Sequence, residues 1–219
     1  MTLLRGSAVA VVLTLALTGC SGSDSGGSDG SGKADAADPT ASVDESKACS
    51  FLSAADRKQL AGVALDEVVA ADARSGGSQC RWSSTKGLIE VTSVPATSWA
   101  KTLPDVIDQL GSSSEVKTKQ DRKDLARAKK LLADAGSFDG AEACKAFDTL
   151  AEIDGADKDT DVAVKYLPIS STEVGVSAQV CSAGVLTSLV YSEPGLVESK
   201  AFEKRATAAV RAAQKRATA

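Results

Sequence analysis

The sequence predicts an α+β domain, an antiparallel sheet flanked by helices and braced by two disulfides. Three observations predict it. Segments 79–84, 87–94, 161–168, 173–181 and 184–192 alternate apolar and polar residues, the period of strands with one solvated face. Between and around them lie segments with helical spacing, of which 121–135 (DRKDLARAKKLLADA) sets Leu125, Ala128, Leu132 and Ala135 on one face. Four cysteines follow residue 40, an even number suited to two bridges.

In chain order, residues 48–61 read as a helix that Gly62 stops, with Ser53-Ala-Ala-Asp56 resembling a capping box inside it. Residues 64–71 (ALDEVVAA) are ambiguous between a short strand and a helix end. The strands 79–84 and 87–94 meet near Thr85-Lys86-Gly87, with Leu88, Glu90 and Thr92 on one side and Ile89, Val91 and Ser93 on the other. Trp99–Leu110 is helical with an internal Pro104 that starts or kinks it. The helix at 121–135 ends at Gly136, and 141–152 is helical again. In the strands that follow, Val174, Val176, Ala178 and Val180 share a face. A long helix over Val197–Arg216 closes the chain, its buried stripe formed by Phe202, Ala206, Ala209, Val210 and Ala213.

The cysteines allow three pairings. Cys49–Cys80 with Cys144–Cys181 keeps each bridge within one half of the chain, and that is the pairing expected. It coincides with an internal echo between 48–111 and 141–217. In each, Ala-Cys opens a helix, a second cysteine precedes an alternating strand, and a proline (Pro95, Pro194) ends that strand. Similar Ala-rich segments also arise by coincidence.

The first 47 residues carry an address. MTLLR has one positive charge, and residues 6–18 are apolar or small. The run is shorter than the roughly 20 residues of a bilayer span and matches the apolar core of an export signal. Leu17-Thr18-Gly19-Cys20 fits a bacterial lipobox, so cleavage between Gly19 and Cys20 and diacylglyceryl and palmitate attachment to the Cys20 thiol are expected. One acyl chain holds a membrane marginally, two or three stably. Ser21–Thr40 has no aromatic residue and no Leu, Ile or Val, so residues 20–47 read as a disordered tether and residues 48–219 as the extracytoplasmic domain.

Composition excludes more than it assigns. Of 219 residues none is His, which removes the usual general base and the commonest metal ligand. No cofactor is expected. Without residues 1–19 the balance is 24 basic against 29 acidic residues, no footprint for nucleic acid.

Cys49-Ser-Phe-Leu-Ser-Ala-Ala-Asp56 and, some thirty residues on, Cys80-Arg-Trp82, behind a lipobox and a Ser/Gly/Asp tether, resemble an uncharacterised family of actinobacterial lipoproteins. That family is a domain of unknown function found in mycobacteria and streptomycetes. The resemblance covers mainly residues 49–110. The second half departs from it, since the family's glycine-acidic-alanine segment has no clear counterpart and Cys144 and Cys181 lie outside its core pattern. It implies export, lipidation, the first disulfide and an α+β fold, and no established activity.

Several residues invite sharper readings. Trp82, two residues after a half-cystine, packs over a disulfide or offers a ligand platform, as Trp99 could; packing is the expectation. Asp154, Asp157, Asp159 and Asp161 suggest calcium, but a loop begun at Asp154 puts Lys165 twelfth and one begun at Asp157 puts Pro168 there, so a solvated turn is expected. Ser83/Lys86, Ser98/Lys101 and Ser114/Lys117 have Ser-x-x-Lys spacing without the companion motifs of Ser-Lys enzymes. Lys200, Lys204, Arg205, Arg211, Lys215 and Arg216 make the last helix basic, a face for anionic lipid or wall polymer, or simply a solvated face; the second is the expectation. The functional expectation is a non-enzymatic binding module. It is held at the outer face of the cell membrane and meets an envelope protein, a polymer or a small ligand. The alternative is a carrier or sensor that takes a small or lipophilic ligand in a groove between sheet and helices.

Overall fold

Both halves of the chain build one sheet. The computed structural model describes residues 47–219 apart from 66, 74–76, 115, 159 and 170–172; Gly19, Cys20 and the expected signal and tether up to residue 46 lie outside the described residues, while Lys47, the last residue of the expected tether, opens a 3₁₀ turn. The strands are β1 (Glu67–Ala73), β2 (Gly77–Ser84), β3 (Gly87–Pro95), β4 (Ala163–Pro168), β5 (Val174–Ser182) and β6 (Val185–Ser192), in the spatial order β1-β2-β3-β6-β5-β4. All neighbours are antiparallel, and β3 joins the halves by pairing with β6, Leu88 opposite Ser192 and Pro95 opposite Val185. The ambiguous segment at 64–71 resolves into the edge strand β1.

The register sorts side chains by face. One row runs Trp82, Ile89, Tyr191, Val176, Tyr166 and the next Cys80, Val91, Leu189, Ala178, Val164. Most of these are buried, beneath α1 (Ala54–Ala61), α5 (Lys200–Ala217) and a 3₁₀ turn at Lys47–Ser50. The opposite face is mostly polar across the same strands, through Arg81, Glu90, Val190, Ser177 and Lys165 in one row and Gln79, Thr92, Ser188 and Gln179 in the next. At one end of that face Val94, Leu186 and Ala163 pack against α2 (Ala96–Gly111), α3 (Lys119–Leu131) and α4 (Gly140–Ile153). The result is three layers, with five helices on the two faces of the sheet.

Helix starts follow side-chain caps. Ser53 and Asp56 form a capping box at the start of α1, so the helix begins there and not at residue 48, while Gly62 ends it at φ 72°. Thr118/Asp121 and Asp139/Glu142 do the same for α3 and α4, and Ser199 caps α5, three residues later than the apolar pattern implies. α3 stops at Leu131, and Ala135–Ser137 form a 3₁₀ turn, so Gly136 lies in that turn. α2 begins at Ala96, directly after Pro95, and runs through Pro104. It gives up one backbone bond there and stays packed through Trp99, Leu103 and Ile107, each at most 2 % exposed.

Cys49–Cys80 and Cys144–Cys181 are both formed, as the sequence predicts, and such bridges mark an extracytoplasmic protein. The echo holds in order, since each half supplies a helix, three strands and a helix. It does not hold in space. Cys80 lies opposite Val91 on the α1/α5 face, whereas Cys181 lies opposite Leu186, on the α2–α4 face. The equivalent helices have exchanged faces, so no two-fold axis relates the halves.

The β5–β6 hairpin turns on Ala183 and Gly184, both in the left-handed region at φ 50° and 74°. Two such residues give the tight turn whose twist matches the strands. Gly184 is also pressed on α4, because a Cβ on Gly140 would lie 2.8 Å from the Gly184 Cα. Ala183 is exposed and carries the steric cost of a β-carbon there. Ala183→Asn is expected to stabilise the protein by about 0.5–1 kcal/mol, a rise of about 2 °C in thermal midpoint for a domain of this size. A calorimetric midpoint below the wild-type value would contradict this account of the turn.

Candidate functional site

α5 crosses the apolar face above β5 and β6, and β4 projects beyond it as the sheet's edge. Between them runs a groove of about 580 Å³. Lys200, Lys204, Thr207, Ala208 and Arg211 recur at helical spacing along one side of α5 and form one wall. Gly155, Ala156, Asp157 and Thr160 form the other, and Val162 and Val164 lie at the floor.

Both ends of the groove are tied. At one, the Tyr166 hydroxyl accepts from Ser199 N at 3.0 Å and donates to Ser199 O at 3.2 Å, which fixes the start of α5 to β4. At the other, Arg211 donates through Nε to Asp161 Oδ2 at 3.0 Å and through Nη2 to Oδ1. Those bonds hold the Asp161 carboxyl below its ordinary pKa and raise that of Arg211. Lys200 and Lys204 are exposed and have no ion-pair partner among the described residues.

Among the described residues no strand pairs with the outer edge of β4. Ile169 N–H donates to Glu173 O at 2.9 Å, which sets the phase of the β4–β5 ladder. Ala163, Lys165 and Leu167 therefore bond to β5, while the N–H and C=O groups of Val164 and Tyr166 point outward. Pro168 comes next in the outward series and lacks a donor, the usual place for proline in an edge strand.

A second cavity of about 470 Å³ shares Ala156, Asp157 and Thr160 with the groove, and its lining includes Asp148, Glu152 and Asp161. Burial, and the neighbouring charges of Glu152 and Asp161, raise the Asp148 pKa. No group of three His, Cys, Asp or Glu side chains is placed to hold a metal ion among the described residues. The acidic stretch is divided instead. Asp154 pairs with Lys165, Asp161 pairs with Arg211, and Asp159 lies outside the described residues.

Asp154 follows the last turn of α4 and is 3 % exposed. Lys165 Nζ sits 3.0 Å from its Oδ2 and donates to its backbone oxygen. Asp124, 5 % exposed, comes from α3 and accepts from Gln120 Nε2 with both carboxylate oxygens, each at 2.9 Å. Burial raises the Asp154 pKa to about 6; Lys165 opposes the rise and Asp124 adds to it.

The other candidates have structural roles. Trp82 is 2 % exposed in the cluster that contains Cys80, with the Arg57 guanidinium 4.7 Å above its ring. Trp99 is equally buried and meets Phe147 edge-on at 5.8 Å. Of the Ser-x-x-Lys serines, Ser83 donates to Glu67 at 3.1 Å and Ser98 lies within α2; Ser114 lies in the α2–α3 connection. The basic face of α5 is not uniform. Lys200, Lys204 and Arg211 line the groove, Arg205 stacks on Phe202, and Arg216 donates to Phe51 O at 2.7 Å while pairing with Asp56. Sequence reasoning missed the groove, because its floor and second wall come from segments some forty residues before the helix. The only local signal was the 3- and 4-residue spacing of Lys200, Lys204, Thr207 and Arg211.

No helix among the described residues is long and apolar enough to cross a membrane. Comparison with protein-family models, with curated proteins and with solved structures finds no match.

Proposed function

We propose that this chain is a lipid-anchored, non-enzymatic binding module of the extracytoplasmic membrane face, of the kind its lipobox and Cys49…Trp82 pattern resemble, and that it holds an envelope component in the groove along α5. The observation that carries the reading is the groove itself, tied at both ends and lined by Lys200 and Lys204, which have no ion-pair partner among the described residues. Two disulfides support the compartment. The sequence at Leu17–Cys20 supports the anchor, with Cys20 as the acylated thiol.

A second reading also has an observation behind it, since about 580 Å³ lies within the range of small-molecule sites. On that reading the protein carries or senses a small ligand. The charged walls favour a polar ligand over a lipophilic one.

Crosslinking on intact cells, followed by mass spectrometry, tests the module. The wild-type chain is expected to yield a defined macromolecular adduct, and Lys200→Glu/Lys204→Glu to reduce it at least tenfold at equal abundance. Cys20→Ser is expected to release the chain from the membrane fraction. An adduct that is unchanged in the double variant would remove the groove from the proposal. A chemical turnover abolished by alanine substitution of exposed residues would remove the non-enzymatic reading.

A further inference from the structure

We infer that the groove takes an extended peptide with acidic residues at alternate positions, which adds to the free edge of β4 as a seventh strand. The inference rests on the groove reading above and names the partner's chemistry.

Three observations lead to it. The first is the open ladder, since Val164 and Tyr166 each present an N–H and a C=O outward, and an antiparallel partner would take all four. Pro168 has no N–H to give, so pairing stops there and fixes the register of the added strand.

The second is the space beside that edge. Lys200 and Arg211 are eleven steps apart along the helix, about 16 Å at 1.5 Å per residue, which matches roughly five residues of extended chain. Side chains alternate in such a strand, so every second one would stand on the same side of the sheet as Val164 and Tyr166 and turn toward the α5 wall.

The third is charge. The α5 wall presents Lys200, Lys204 and Arg211 against one acid, Glu203, while Asp157 lies on the opposite wall. Arg211 is already held by Asp161. Lys200 and Lys204, beside the Tyr166–Ser199 tie, are left to meet carboxylates at alternate positions of the added strand. Backbone bonds to β4 would supply affinity and the lysines would select the sequence.

The test uses the full chain and four capped heptapeptides: Thr-Glu-Val-Glu-Val-Glu-Thr, its lysine counterpart, and two versions of the acidic peptide N-methylated on its valines or on its glutamates. The acidic peptide is expected to bind and to slow hydrogen exchange at the Val164 and Tyr166 amides. The version N-methylated on its glutamates should bind at least tenfold more weakly and the version N-methylated on its valines about as well as the parent, because glutamates turned toward the lysines sit opposite Val164 and Tyr166 and point their own amides at β4. The lysine peptide should bind at least tenfold more weakly than the acidic one. Failure of the acidic peptide to bind, equal binding of the lysine peptide, equal effects of the two N-methyl sets, or binding without protection at Val164 and Tyr166 would each overturn the inference. If the acidic peptide fails while Lys200→Glu/Lys204→Glu still removes the crosslinked adduct, the groove stands and the strand falls. If both fail, both fall.

Discussion

Replacing Cys49 and Cys80 together by alanine will lower the stability of this protein by about 4 kcal/mol. The bridge closes a loop of 31 residues, and in the chain-entropy model a crosslink over that length removes this much freedom from the unfolded chain. Cys80 is fully buried, so alanine avoids leaving a hydroxyl in the apolar cluster of Trp82, Ile89 and Val91. Cys144→Ala/Cys181→Ala should cost about as much, since its loop is 37 residues. The bridges brace opposite faces of the sheet, so their losses should add. Against a total of about 5–15 kcal/mol for an ordinary domain, removing both should unfold the protein. Guanidinium midpoints of the three variants decide it; a midpoint within error of wild type for either pair would show that the sheet holds its helix without that bridge.

Stability will also depend on pH through Asp154, with a sign opposite to most carboxylates. Its folded pKa is raised by burial to about 6 from an ordinary 3.8. The folded protein therefore binds this proton more tightly than the unfolded chain does. The penalty is fully present above pH 6, shrinks as pH falls through 6, and is gone near 3.8. The gap corresponds to roughly 3 kcal/mol. Asp56, Asp121 and Asp161 have lowered values, so they stabilise above the unfolded pKa and lose that contribution in acid. Comparison with Asp154→Asn cancels them. The stability of the variant minus that of the wild type should fall by about 3 kcal/mol between pH 7.5 and pH 4, read from urea unfolding at several pH values. Parallel curves would show that Lys165 compensates the buried charge completely.

The fold was legible where local chemistry repeats within a few residues. Alternation located five of the six strands within two residues or so, and the Leu125/Ala128/Leu132/Ala135 stripe is buried as its spacing implies. The bridges followed from parity and from the two halves. β1 was obscured because an edge strand need not bury a face; its Val68 and Val69 are 47 % and 51 % exposed. Helix starts were misjudged at Ala48 and Val197 because apolar spacing continues past the points where Ser53 and Ser199 cap the backbone. The exchange of faces between the halves is set by which side of the sheet each connection crosses, and nothing in residue order records that. The groove was illegible for the same reason. Lys200 and Val164 become neighbours only through the register of β4, β5 and β6.

The seam between β3 and β6 has a consequence for how the molecule comes to be folded. Val94 must find Leu186, and Ile89 must find Tyr191, across almost the whole second half of the chain. An exported chain whose amino end emerges first would build β1–β3 early and then carry β3 as a bare edge, apolar at Ile89 and Val91 and unpaired along its length. Contacts so distant in sequence make for slow folding, and an exposed strand invites the wrong neighbour meanwhile. Refolding of the oxidised chain should therefore show early protection in the β2–β3 hairpin and late protection at the β3–β6 seam, with losses to aggregation that grow with concentration.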